Sequence, residues 1–232
     1  MHALVFQHAA PEGPGSIADA LRAEGVEPRV VRIDRGESVP ELGAASGLVV
    51  MGGPMGAYES ARYPHLGAEA AVVSAALAAD VPVLGVCLGS QILTRALGAD
   101  VRPGPAPEIG WGAVERLPDA DEDPLWHAVP PTFTALHWHG DVFDVPPGAV
   151  ALARSERTAV QAFRHGRAWG VLFHGEATPA IVRGMAEAFP DELAAAGLAP
   201  ADVLADLEAR TEAAAHAMRP VYRGWASLVS SG

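Results

Sequence analysis

The sequence predicts an α/β fold built on a doubly wound, mostly parallel sheet with helices on both faces. Two observations carry that expectation. Through the first hundred residues, short and almost wholly apolar runs alternate with helical patterns, as expected of strands covered on both faces. The length of 232 residues suits one sizeable α/β domain, since such folds reach roughly 250 residues before dividing. Half of the residues are apolar and 19% are charged, so the chain can bury enough surface to offset the entropy of ordering itself.

Taken in order, Ala3-Leu4-Val5-Phe6 is a short strand, and residues 17–24 have the spacing of an amphipathic helix closed by Gly25. Val30-Val31-Arg32-Ile33 is the second strand. Leu48-Val49-Val50-Met51 is the third, ending abruptly in Gly52-Gly53-Pro54. Residues 66–79 are Ala-rich with no Gly or Pro after Gly67 and read as a crossover helix, followed by a buried strand over 81–86. From 101 to 147 the chain is rich in Pro, Gly and Trp, with short strands expected at 113–117 and 132–138. Three more strands are expected at 150–153, 159–164 and 168–173, before Pro179 opens a helix at its first turn. Residues 1–190 then form the main domain and 191–232 a helical extension. In that extension Leu204, Leu207, Thr211, Ala214, Met218, Val221, Trp225 and Leu228 recur at threes and fours along one helical face. Pro220 is expected to kink or break this helix near Arg219. The face is expected to cover the same domain, with a homodimer seam as the alternative use.

Composition narrows the function. The balance of 28 acidic to 16 basic residues, a net charge of −12, argues against nucleic acid, whose phosphates require clustered Lys and Arg. One cysteine, Cys87, cannot form an internal disulfide or a cysteine zinc cluster, so the chain reads as a protein of a reducing, cytoplasmic compartment. No basic segment leads into an apolar run at the N-terminus, and no run of about 18 apolar residues occurs, so no membrane association is expected.

The chemistry concentrates at Val81-Pro82-Val83-Leu84-Gly85-Val86-Cys87-Leu88-Gly89-Ser90-Gln91, a buried strand, a Gly-x-Cys-x-Gly turn and a helix. A lone cysteine in an apolar run is ordinarily a small core residue. Here the flanking glycines and the strand-to-helix context make a nucleophile elbow. The tight turn leaves no room for a Cβ at Gly85 or Gly89, and it lifts the thiol to the sheet's carboxyl edge, where the helix N-terminus favours a thiolate. The Leu88 N–H is then free to donate to an oxyanion. A thiolate that attacks a carboxamide also needs a base to protonate the leaving amine and a group to orient that base. Phe173-His174-Gly175-Glu176 supplies both, with His174 closing the last apolar strand and Glu176 two residues on.

Gly-Val-Cys-Leu-Gly-Ser-Gln, Gly52-Gly53-Pro54-Met55 and Phe173-His174-Gly175-Glu176-Ala177-Thr178 together resemble the class I glutamine amidotransferase family. The likeness is to its free-standing members, which are similar to the glutaminase domain of GMP synthase. Gly110-Trp111-Gly112 and His137-Trp138-His139-Gly140-Asp141-Val142-Phe143 follow in the family's order, and the likeness covers about residues 1–190. The resemblance implies a flavodoxin-like architecture and a triad of Cys87, His174 and Glu176. It implies an oxyanion hole from Gly53 and Leu88, and substrate-binding positions at Gln91 and the backbone of Trp138, Gly140 and Asp141. It implies no cofactor and no metal. The substrate class it implies is glutamine or a γ-glutamyl compound, with ammonia passing to a separate synthase subunit, since a chain of this length has no room for a second large domain.

Two departures from the family pattern stand out: Gly175 where Pro is usual, which is expected to loosen the triad loop, and Leu172 where Gln is frequent. Neither removes a catalytic group. Competing readings are a non-catalytic ligand-sensing or partner-binding module of the same fold, and a metal site from His137, His139 and Asp141, which share a strand face. The complete triad favours the enzyme, and the absence of a second ligand pair at helical spacing favours a substrate-side loop.

Overall fold

Nine strands form one sheet in the order β2-β1-β3-β4-β9-β8-β7-β5-β6, in a computed structural model that describes Met1–Gly232. The parallel half comprises β1 (His2–Gln7), β2 (Glu27–Arg32), β3 (Gly47–Val50), β4 (Val83–Val86) and β9 (Ala168–Val171). This 2-1-3-4 order, with β9 as the fifth member, is the flavodoxin-like arrangement, whose direction of winding reverses between β1 and β3. The other half is antiparallel and runs through β8 (Ala162–His165), β7 (Val150–Arg154), β5 (Val101–Arg116) and β6 (Thr132–Phe143). It curls back on itself, because the His174 N–H donates to the Leu136 carbonyl of β6 at 2.7 Å.

The β1, β3, β4 and β9 runs are buried on both sides, and their alternate residues feed two cores. On one face Val5, Val49, Leu84 and Val171 pack with Ile17 and Leu21 of α1 (Gly15–Ala23) and with Met218, Val221 and Trp225 of α7 (Leu207–Ser231). On the other, Phe6, Leu48, Val50 and Val83 pack with Leu66, Val72 and Val73 of α2 (His65–Ala78) and with Ile92 and Leu93 of α3 (Leu88–Ala96). A third cluster sets α4 (Pro179–Ala188), α5 (Pro190–Ala195) and α6 (Pro200–Leu204) against Leu136 and Trp138 of β6. Pro179 does open α4, and the Thr178 side chain caps it by accepting from the Ile181 N–H at 3.3 Å.

Two expectations change. The Pro-rich middle is not a loop with a short strand: β5 runs for 16 residues through Pro103, Pro105 and Pro107. Between Pro103, opposite Asp141, and Glu108, opposite His139, the register shifts, so the intervening prolines sit in a bulge and withdraw no ladder donor. Only Glu115 and Arg116 pair with β7, which leaves the other edge of the Pro segment free. Pro220, expected to kink or break the C-terminal helix, does not end it: the helix continues from Leu207 to Ser231. A mid-helix proline costs about 3 kcal/mol. Met218, Val221, Tyr222 and Trp225, all fully or almost fully buried around it, each contribute about 1.5–3 kcal/mol by leaving water, so packing offsets the cost of the proline. Of the stripe expected to cover the same domain or to seam a dimer, Met218, Val221 and Trp225 are buried against α1 and the sheet, and Leu207 in the cluster with α4 and β6. No helix is long and apolar enough to cross a membrane.

Candidate active site

The loops after β1, β3, β4 and β9 all open at the carboxyl edge of the parallel strands, where ligands bind in doubly wound sheets. Cys87 stands there with φ +50° and ψ −110°, a backbone conformation rare for a residue with a side chain and typical of strained functional turns. Its N–H donates to the Val171 carbonyl of β9 at 2.8 Å. A Cβ on Gly85 would lie 2.5 Å from the Gly89 carbonyl oxygen, and one on Gly89 would lie 1.9 Å from that of Val50. Both glycines are therefore required by close approach of backbone to backbone.

Opposite the elbow, the His174 and Glu176 side chains are buried and joined by a 2.9 Å hydrogen bond from Nδ1 to Oε1. The Glu176 carbonyl accepts from the Ser16 N–H at the start of α1 at 3.1 Å, so the first helix anchors the loop that carries the pair. His174 Nε2 has no hydrogen-bond partner, and the Cys87 thiol points to the Trp138 carbonyl at 3.6 Å. Burial pushes the thiol up from its ordinary pKa, opposed by the neighbouring His174 and by the Leu88 N–H. For His174, burial acts to lower the pKa, but the charge and hydrogen bond of Glu176, helped by the neighbouring Cys87, raise it well above the usual value.

A cavity of about 410 Å³ opens beside the thiol, lined by Gly53, Gln91, Trp138, Gly140 and Asp141 together with Cys87. All the residues expected at the substrate-binding positions therefore meet in one space. Leu88 begins α3 immediately after the elbow. The Trp138 indole donates to Glu192 Oε2 of α5 at 2.7 Å, and Asp141 accepts from the Tyr58 hydroxyl at 3.4 Å. Asp141 is thus separate from His137 and His139, which instead gather with Glu108, all three offering ligand atoms within 4.8 Å of one another. Glu108 Oε2 already accepts from Ser155, Thr158 and Gln161. Burial would raise the Glu108 pKa, but the hydrogen bond to His139, the charge of His137 and these hydroxyls bring it down to about 2. Burial drives His137 down to about 4.

Gly175 was expected to loosen the triad loop, and the packing around it is the reverse of loose. A Cβ there would lie 2.5 Å from Met218 Cγ and 3.0 Å from the Tyr222 hydroxyl. The C-terminal helix presses onto the loop at the one point where the family's usual Pro would collide with it.

Sequence reasoning passed over Glu12, which is only 4% exposed. A Cβ on Gly52 would lie 2.0 Å from Glu12 Oε2 and 3.1 Å from His174 Cε1, so this carboxyl sits between the Gly-Gly turn and the imidazole. Burial raises its pKa to about 7, against the opposing pull of His174 and His8. His8 and Glu69 were passed over as well. The available signal was position, since His8 and Glu12 follow directly on a parallel strand.

An elbow thiol facing an imidazole aligned by a carboxylate is what acyl transfer from an amide requires, and the strand order is that of a doubly wound α/β fold. The chain belongs to the glutamine amidotransferase class-I family, whose model matches residues 15–184. A GMP synthase of Thermomicrobium roseum is 34% identical over 161 residues, which are 69% of this chain and 29% of that protein. The chain therefore spans less than a third of that relative. A glutamine-hydrolyzing GMP synthase subunit of Sulfolobus acidocaldarius is 33% identical over 69% of this chain and 81% of its own length. Among solved structures, a glutamine amidotransferase from Thermotoga maritima superposes with a TM-score of 0.88 at 32% identity, over 97% of this chain and 98% of that one.

Proposed function

We propose that the chain is a cysteine-dependent amidase that hydrolyses the side-chain amide of glutamine or of a γ-glutamyl compound through a γ-glutamyl thioester. The observation that carries this reading is the buried His174–Glu176 pair at 2.9 Å facing the positive-φ elbow of Cys87. In the forward step the Cys87 thiol gives its proton to His174, and the sulfur attacks the amide carbon. The carbonyl oxygen takes the electron pair, and the N–H groups of Gly53 and Leu88 hold the resulting oxyanion. Collapse of the adduct breaks the C–N bond as the imidazolium protonates the departing ammonia or amine. Water, deprotonated by the same imidazole, then releases glutamate and restores the thiol. Glu176 holds the ring in the tautomer this sequence needs. Gln91 and the backbone of Trp138, Gly140 and Asp141 grip the amino-acid end of the substrate.

In this reading residues 1–190 carry the chemistry, and residues 191–232 brace it. The GMP synthase subunits among its relatives support delivery of the ammonia to a separate synthase subunit. The test is release of ammonia or amine from glutamine and a panel of γ-glutamyl amides, with and without lysate partners, alongside labelling of Cys87 by an electrophilic glutamine analogue. Absence of both release and labelling would sink the proposal.

A further inference from the structure

The carbonyl group of Gly52 belongs to the same peptide unit as the N–H of Gly53. His8 Nδ1 lies 3.0 Å from that carbonyl oxygen, and His8 Nε2 lies 2.7 Å from Glu69 Oε2. Glu69 Oε1 in turn receives His65 Nδ1 at 2.9 Å. The side chains of His8 and Glu69 are fully buried, and the rings of His8 and His65 stack with centroids 6.1 Å apart. A Cβ on Gly53 would lie 2.7 Å from His8 Cβ and 3.0 Å from Leu88 Cδ2, so the turn rests directly on the imidazole.

Three facts about this chain of groups bear on the reaction. First, a carbonyl oxygen only accepts, so His8 donates to Gly52 from Nδ1, and the Glu69 carboxyl 2.7 Å from Nε2 favours a proton on that nitrogen as well. In agreement, burial acts to lower the His8 pKa, but the hydrogen bond and charge of Glu69, helped by Gly52 and Glu12, raise it above the ordinary value. Second, every peptide here is trans, so C=O and N–H of the Gly52–Gly53 unit point in opposite directions. Holding the carbonyl toward His8 therefore turns the Gly53 N–H away from it, and Gly53 lines the cavity with Cys87. Third, the tether joins β1 to β3, the two strands between which the winding reverses. Glycine on both sides of this peptide leaves it otherwise free to rotate.

We infer that His8, charged and held by Glu69 and His65, is a positioning residue that fixes the Gly52–Gly53 peptide with its N–H aimed at the oxyanion of the tetrahedral intermediate. The inference rests on the proposed amidase reading of the same cavity. The positive imidazole also polarises the peptide it holds, which makes the Gly53 N–H a stronger donor at the moment charge develops on the substrate. Preorganisation of this kind acts on bond-making at a carbonyl and not on the nucleophilicity of sulfur.

That distinction supplies the test. Asn at position 8 keeps a donor where Nδ1 stands, and Gln keeps one near Nε2 and none at Nδ1. His8→Gln is expected to lower kcat for a γ-glutamyl anilide by 10- to 100-fold on the order-of-magnitude scale, below the roughly 100- to 1000-fold for deleting a donor outright. KM should be unchanged, and so should the rate at which iodoacetamide alkylates Cys87, because that substitution forms no oxyanion. His8→Asn should recover most of kcat. The Gly53 amide resonance should move further in His8→Gln, which loses the donor at Nδ1, than in His8→Asn, which loses only the ring and its charge. Parental kcat in His8→Gln, parallel loss of kcat and alkylation, or equal loss in both variants would overturn the inference. If the parent turns over no γ-glutamyl substrate, the amidase reading fails separately, and the Gly53 resonance still decides the tether: no movement in His8→Gln overturns it.

Discussion

Replacing Glu12 by Gln should make the protein more stable at neutral pH than at acid pH relative to the parent. The Glu12 carboxyl is buried between Gly52 and His174, and burial lifts its pKa from 4.5 to about 7. An acid whose pKa rises on folding holds its proton more tightly in the native state. Its contribution to stability is therefore complete below about pH 4.5 and is lost as pH climbs through about 7. At 1.36 kcal/mol per pH unit, the gap between 4.5 and about 7 amounts to about 3 kcal/mol. Gln fills the same volume and does not titrate, so it escapes this loss. The stability difference between Glu12→Gln and parent should grow by about 3 kcal/mol in favour of the variant between pH 4 and pH 8. At roughly 2–4 °C per kcal/mol for a chain of this size, the Tm gap should open by roughly 6–12 °C over that range. Thermal or urea melts of both proteins across the pH series measure it, and titrating groups that do not interact with Glu12 cancel in the difference; His8, His174, Glu176 and Glu192 interact with it. A Tm difference that stays constant with pH would refute the placement of Glu12 as a desolvated acid.

Glu176→Gln should leave the fold intact and lower kcat by on the order of 10⁴-fold, because the amide stabilises the wrong His174 tautomer; steady-state turnover of a γ-glutamyl anilide checks this. Gly175→Ala should destabilise by about 1–3 kcal/mol through overpacking, since its Cβ would meet Met218 Cγ at 2.5 Å. In urea melts its cost and that of Met218→Ala should add to more than the cost of the double variant. Trp225→Ala removes a fully buried ring from the core beneath β3 and should cost about 3–5 kcal/mol, read as a Tm fall of roughly 6–20 °C.

Strands β1, β3, β4 and β9 and the elbow were legible because their signals are local; β2, expected at 30–33, instead spans Glu27–Arg32 at the sheet edge, where exposed positions interrupt the apolar run. A strand covered on both faces must be apolar at every position, as Leu48-Val49-Val50 is. A tight strand-to-helix turn must carry glycine where backbones meet, as Gly85 and Gly89 do. His174 and Glu176 are two residues apart, so their hydrogen bond is also encoded in a short stretch. The length of β5 was hidden because prolines signal a break unless a bulge accommodates them, and the bulge depends on β6. Pro220 did not end the helix for a similar reason: the burial that offsets its cost comes from α1 and the sheet.

The sequence by itself determined the alternation of strands and helices, the nucleophile turn and the family. Only the tertiary structure decided which distant side chains serve that turn. His8 meets Glu69 across 61 residues, Glu12 packs against Gly52 and His174, and α7 closes over Gly175. Periodicity and turn chemistry act over a few residues, whereas these contacts exist only once the strands have been ordered side by side and the loops at their carboxyl edge brought together.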